Sequence, residues 1–340
     1  MMLRKLLLGL ILLCGLLIMV GAWVRLSDAG LGCPDWPGCY GHLTFPRAEH
    51  EISRAEAHFG QPVDPERAFK EMLHRYIAGV LGLGILALTL LGWRQWPDQR
   101  AALCAPLVLV IVQALFGMWT VTEKLMPAVV TLHLLGGMGL LALLVWLALR
   151  LAALPPSPRP AMLRGGRLLL VALVLQIALG GWVSSNYAGP ACTDFPLCAG
   201  QLLPPDGLAA ALRPDRPLGL NADGSPISLA QLMGIQILHR AGALLVLLLS
   251  FWQCRQWWAG GQRRHALLLA GLLLAQLALG VANAVLGLPL TLAVLHNGMA
   301  ALLLAYVTWL VLAAAPLPQA TRHRRLPARH DSGKPLTEQA

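Results

Sequence analysis

Eight long runs of apolar residues, each bounded by polar or basic text, dominate this chain. They lie at roughly 6–26, 72–92, 102–122, 127–149, 167–186, 232–253, 265–286 and 289–315. A bilayer's hydrocarbon core takes about 20 helical residues, so each run is long enough to cross it. Backbone polar groups find no water there, and a helix satisfies them within one segment. The pattern predicts an all-α membrane protein with eight transmembrane helices. The first run follows Arg4 and Lys5 and so resembles a signal peptide. Its closing text returns at the end of the fifth run, deep inside the chain, so it reads as a retained helix.

That return is part of a longer repeat. Residues 21–41, GAWVRLSDAGLGCPDWPGCYG, align without a gap with residues 180–200, GGWVSSNYAGPACTDFPLCAG, and 10 of the 21 positions are identical. Trp23 matches Trp182, Cys33 matches Cys192 and Cys39 matches Cys198. The LHR text at 73–75 recurs at 238–240, and QALFG at 113–117 returns as QLALG at 276–280. Leucine-rich text imitates similarity easily, but it does not align Cys, Trp and His. The chain therefore reads as two duplicated four-helix bundles, 1–154 and 167–316. A Pro-rich linker at 155–166 joins them and a basic tail follows at 317–340. An even number of spans per unit makes them parallel repeats.

Charge sets the orientation. With a cytoplasmic N-terminus, 16 of the 26 basic residues fall on the inner side, and 12 of the 16 acids fall outside. This is the positive-inside distribution, with both termini cytoplasmic. It accounts for the net charge of +10 without a nucleic-acid partner. The composition, 57% hydrophobic and 12% charged, excludes an ordinary soluble domain.

Four histidines carry the candidate chemistry: His74 and His133 in the first half, His239 and His296 in the second. Each enters an apolar run from its outer end; His133 lies roughly 9 Å along its helix. Burying an imidazole in lipid is costly unless it is ligated or hydrogen-bonded. A zinc site wants a closer group of ligands than two histidines per half. Two facing imidazoles suit a six-coordinate haem, one per half. Nearby glycines, Gly79, Gly82, Gly84, Gly136, Gly137, Gly242 and Gly298, either admit a flat porphyrin or serve helix packing. His42, His50 and His58, in the long first outer loop, read as solvated.

The halves differ beside these ligands. Glu71 precedes His74 by three residues and shares its helix face, whereas the second half has Gln236 there. An intramembrane carboxylate can act as base, proton relay or substrate anchor. Arg75 and Arg240 follow the span-2 and span-6 histidines and suit haem propionates. Arg25 has no counterpart, since Ser184 stands at the aligned place. Cys33–Cys39 and Cys192–Cys198 repeat one spacing in outer loops, where disulfides form. They read as structural staples or as redox-active pairs. Cys14, Cys104 and Cys254 receive no role.

Together, E-x-x-H-R at Glu71, His74 and Arg75, the further histidines and the paired cysteines resemble the haem A synthase family over nearly the whole chain. The likeness is to members with cysteine pairs in both halves. It implies an oxidoreductase of the bacterial inner membrane that acts on a CH group. The ring methyl of haem O would be hydroxylated twice, and the geminal diol would lose water to give the formyl group of haem A. It implies haem O held by His74 and His133, with Glu71 catalytic, and a resident haem b on His239 and His296. Implied partners are haem O synthase, cytochrome oxidase assembly factors, an electron acceptor or donor, and the bilayer. A di-haem cytochrome b carrying electrons from quinol explains the histidines equally, but not Glu71, the outer loops or ligands at one depth. A transporter with parallel repeats predicts broken helices and midplane charges, of which the sequence has few.

Overall fold

The computed structural model describes residues 2–154, 163–203 and 206–313. The basic tail at 317–340 and the Pro155–Pro160 stretch of the linker lie outside the described residues. Among the described residues ten α-helices run α1 Met2–Leu26, α2 Glu49–Phe59, α3 Pro65–Gln95, α4 Arg100–Thr122, α5 Pro127–Arg150, α6 Leu163–Ser185, α7 Leu208–Ala211, α8 Leu229–Ala259, α9 Arg263–Val285 and α10 Leu290–Ala313. Eight are long and apolar enough to cross a membrane; α2 and α7 are short helices of the two long loops. Among the described residues there is no regular strand, only isolated bridges.

Packing divides the spans into two rings. α1, α3, α4 and α5 close one ring, and α6, α8, α9 and α10 close the other in the same order. Between the rings α1 meets α10, α5 meets α6, and α5 meets α10. In lipid, helices gain little from burying apolar area against each other, so close approach of small residues and polar contacts matter more. Gly181 of α6 lies against Thr131 and Leu134 of α5, and Gly298 of α10 lies against Met19 of α1. Thr131 and Ser185 hydroxyls meet at 3.2 Å, and the Asn297 amide donates to the Ile18 carbonyl at 3.2 Å. One apolar cluster, from Leu7 through Leu144 to Leu304, crosses the boundary.

Two spans are longer than hydropathy alone predicts. The second apolar run begins at 72, yet α3 begins at Pro65. Asp64 accepts the Glu66 and Arg67 N–H groups and Pro65 takes the first helical position, a start signal upstream of the apolar text. α8 likewise starts on a Ser228–Gln231 capping box. At about 1.5 Å per residue these 31-residue helices outreach a hydrocarbon core of about 30 Å. The two long loops pack on the first turns of these helices. Tyr40, Phe45, Ala55, Ala68 and Met72 form such a cap over the first ring. The sixth helix also starts earlier than its apolar text, at Leu163.

Candidate functional site

Each ring brings its two histidines together from opposite helices. His74 on α3 and His133 on α5 lie with ring centroids 6.5 Å apart. His239 on α8 and His296 on α10 occupy the matching places in the second ring. Each imidazole faces a glycine of the neighbouring helix. A methyl group on Gly21 of α1 would stand 3.0 Å from His74 Nε2, and one on Gly117 of α4 would stand 3.5 Å from His133 Cε1. In the second ring, Gly180 of α6 and Gly280 of α9 would bring a methyl to 3.2 Å and 3.1 Å from the Cε1 atoms of His239 and His296. A methyl on Gly21, Gly180 or Gly280 would crowd its ring, whereas one on Gly117 would make ordinary contact.

These four glycines are not the ones the sequence singles out. Gly84 instead meets Leu10, Gly136 meets Gln113, and Gly242 meets Gln176 and Leu179, which is helix packing. The cradle glycines were still written in the repeat: Gly21 and Gly180 open one repeated text, and Gly117 and Gly280 close another. The second ring adds amides. Gln176 Nε2 lies 3.0 Å from His239 Nδ1, and Gln276 Nε2 lies 3.3 Å from His296 Nε2. The first-half residue aligned with Gln176 is Leu17.

The donor set suits a haem. Metal–nitrogen bonds of about 2 Å from two imidazoles to one iron place the ring centroids roughly 6 Å apart, close to the His74–His133 separation. His133 Nδ1 and His296 Nδ1 are buried without a hydrogen-bond partner, at equivalent places in the two rings. Buried polar atoms are rarely left so. Among the described residues no three His, Cys, Asp or Glu side chains gather as a bare metal ion would require. A porphyrin supplies its own equatorial nitrogens and needs only the axial pair.

Above the histidines the two rings diverge. Cys33 and Cys39 are disulfide-bonded, as are Cys192 and Cys198. Asp35 caps the first loop's turn by accepting the Tyr40 and Gly41 N–H groups at 2.6 and 2.8 Å. Asp194 does the same for Ala199 and Gly200 at 2.7 and 3.1 Å, and these N–H groups hold its carboxyl below the ordinary carboxylate range. Glu71, 5% exposed, accepts the Cys33 N–H at 2.9 Å through one oxygen and pairs with Arg75 at 2.5 Å through the other. Arg75 also donates to the Asp35, Pro37 and Gly38 carbonyls. In the second ring Gln236 donates to the Gly189 carbonyl at 3.1 Å. Arg240 donates to the Asp194, Pro196 and Leu197 carbonyls, and to the Cys192 carbonyl at 3.2 Å.

Arg25 crosses between the rings. It donates to the Ser184 carbonyl at 2.7 Å and stacks over the Tyr187 ring at 4.0 Å. Its own aligned position is therefore the one it binds. Sequence reasoning missed Arg216, which is fully buried in the second outer loop. It donates to the Ala211 and Leu220 carbonyls and to the Asn186 side chain, and lies over the Trp182 ring. A lone arginine in a polar loop carries no signal of burial. His50 and His58 are exposed, as expected.

The comparisons bear on the whole of this arrangement. The heme A synthase of Shewanella oneidensis is 45% identical over 299 residues, covering 85% of this chain and 89% of its own length. That of Methylobacterium radiotolerans is 31% identical, covering 91% of this chain and 86% of its own. That of Beijerinckia indica is 30% identical, covering 87% and 88%. The model of the COX15-CtaA family, described as cytochrome oxidase assembly protein, matches residues 4–308, and the chain, a multi-pass membrane protein with two cradled histidine pairs, belongs to that family.

Proposed function

We propose that this protein is a haem A synthase, an oxidoreductase that converts the ring methyl of haem O to a formyl group for haem-copper oxidase biogenesis. One observation carries the reading: two matching histidine pairs on glycine cradles, with a carboxylate above only one of them. The heme A synthases among its relatives support it. In this reading the halves are a duplication, with both termini cytoplasmic and the disulfide loops on the periplasmic side. Haem O sits between His74 and His133. A haem b resides between His239 and His296 and supplies one-electron redox chemistry when bound.

The residues divide the work accordingly. His74 and His133 orient the substrate porphyrin, and Gly21 and Gly117 set the angles of those rings. Glu71 is the base for the protons released as the methyl is oxidised. Each hydroxylation takes its oxygen from water and releases two electrons and two protons; the geminal diol then loses water. Arg75, Arg240 and Arg25 stand at the outer ends of the sites, where propionates would share guanidinium donors already turned to loop carbonyls or, for Arg25, to the Ser184 carbonyl of α6. A guanidinium has five N–H groups, enough for both.

The test is extraction and chromatography of haems from cells making the protein together with a haem O source. Haem A, or its hydroxylated precursor, is the expected product. An unchanged haem pool with a normal bis-imidazole spectrum would favour the electron-carrying cytochrome b instead.

A further inference from the structure

The two disulfide loops turn the same carbonyls to the arginine of the helix beneath but differ in what they offer its neighbour at Glu71 or Gln236. The first loop aims the Cys33 N–H at the Glu71 carboxylate, at 2.9 Å. The second aims the Gly189 and Cys192 carbonyls at the Gln236 amide and the Arg240 guanidinium. Only the first loop adds an N–H aimed at a carboxylate. Gly32 lets the first loop lie directly on α3, since a methyl there would stand 2.5–2.8 Å from the backbone of Arg67 and Ala68. Arg75 ties the layers together, with one nitrogen on Glu71 and the other on three loop carbonyls.

We propose that Arg75 is a positioning residue, and that it and the Cys33–Cys39 loop act as one clamp fixing the Glu71 carboxylate above His74. This rests on the function proposed above and deepens it. A carboxylate on a helix has rotamers to choose from. Here one oxygen is fixed by an amide held in a closed disulfide ring, and the other by a guanidinium that the same ring orients. Opening the ring frees the Cys33 amide and loosens the carbonyls that aim Arg75, so both restraints on Glu71 fail together. The second loop, with no carboxylate to hold, serves no such purpose.

The experiment measures haem A formation by the full-length, haem b-loaded enzyme with haem O. Arg75→Gln lowers kcat roughly ten- to hundredfold, as expected when a reacting group is misplaced by about 1 Å, with KM little changed. Arg75→Lys restores part of kcat by keeping a cation against Glu71. C33S/C39S gives a loss of the same size, and adding it to Arg75→Gln costs nothing further, because residues of one unit are non-additive. C192S/C198S leaves kcat per haem b-loaded molecule within about twofold. The clamp is overturned if the Arg75 and Cys33–Cys39 losses multiply. It is also overturned if Arg75→Gln raises KM with kcat unchanged, the mark of a propionate anchor alone. If the parent enzyme forms no haem A, the functional reading fails instead. Should C33S/C39S fold poorly, brief reduction of the folded enzyme reads the same coupling.

Discussion

The first and second rings hold the same histidines in the same helical places, yet their surroundings differ. In the second ring His239 and His296 each have an amide close by, Gln176 or Gln276. In the first, Leu17 replaces the amide at His74, and a carboxylate enters one turn above. A ligand pair supported by fixed amides suits a group that stays. The first ring keeps Gln113 at the place of Gln276, so it differs by one amide lost and one acid gained, which in the function proposed above suits a group that arrives, reacts and leaves. The rings differ in a few residues around the histidines, not in the histidines themselves.

The largest effect that would sharpen this contrast is at Glu71. Glu71→Gln makes the first ring resemble the second, and product formation should fall by about 10²–10⁴-fold, the usual range for a lost acid–base group. Haem b content, read from the absorption spectrum, should not change. Normal haem A formation by that variant would break the comparison outright. Next come the ligands: His239→Ala or His296→Ala should empty the protein of haem b, whereas His74→Ala should keep it and lose the product. Haem content per polypeptide decides, and equal loss from all three would mean that the rings are not specialised.

The cradles offer a smaller, graded probe. Gly180→Ala should lower haem b retention roughly tenfold, because misdirected metal ligands cost on that scale. Gly21→Ala should leave haem b in place and lower turnover with haem O. Smaller again is the strut between rings: Arg25→Ala should destabilise the protein by about 2 kcal/mol, the scale of a charged hydrogen bond, in detergent unfolding. The least effect belongs to Asp194. Its carboxyl is held low by the Ala199 and Gly200 N–H groups, so its contribution is present above the ordinary value of 3.8 and fades as pH falls below it. Amide protection in the second loop, relative to the intrinsic exchange rate at each pH, should therefore fall at acid pH, and Asp194→Asn should remove that dependence.

Much of this was legible in the chain. Eight apolar runs announced eight spans, and aligned Cys, Trp and His announced that the histidines would recur in matching places, because lipid allows few reasons for such residues. The Glu71–Gln236 difference was visible as text. What escaped were features set by the partner helix. Gly21 and Gly180 look like any membrane glycine until an imidazole is seen against them. Arg75 and Arg240 were read from their place beside histidines, but the carbonyls they bind belong to loops some 40 residues upstream. The outer turns of α3 lie before the apolar text because Asp64 and Pro65, not hydropathy, start the helix.

The boundary between the rings has one more consequence. α1 meets α10, α6 meets α5, and α5 meets α10, the scheme two separate copies of one four-helix unit would make about a twofold axis. Arg25 on Ser184, Asn297 on Ile18 and Thr131 on Ser185 are polar contacts across that boundary, all made by spanning helices. A protein severed within 155–162 should therefore behave as a complementing pair of fragments. Made as two polypeptides, the halves should find each other in the bilayer and copurify, each bringing its own porphyrin site to a shared assembly.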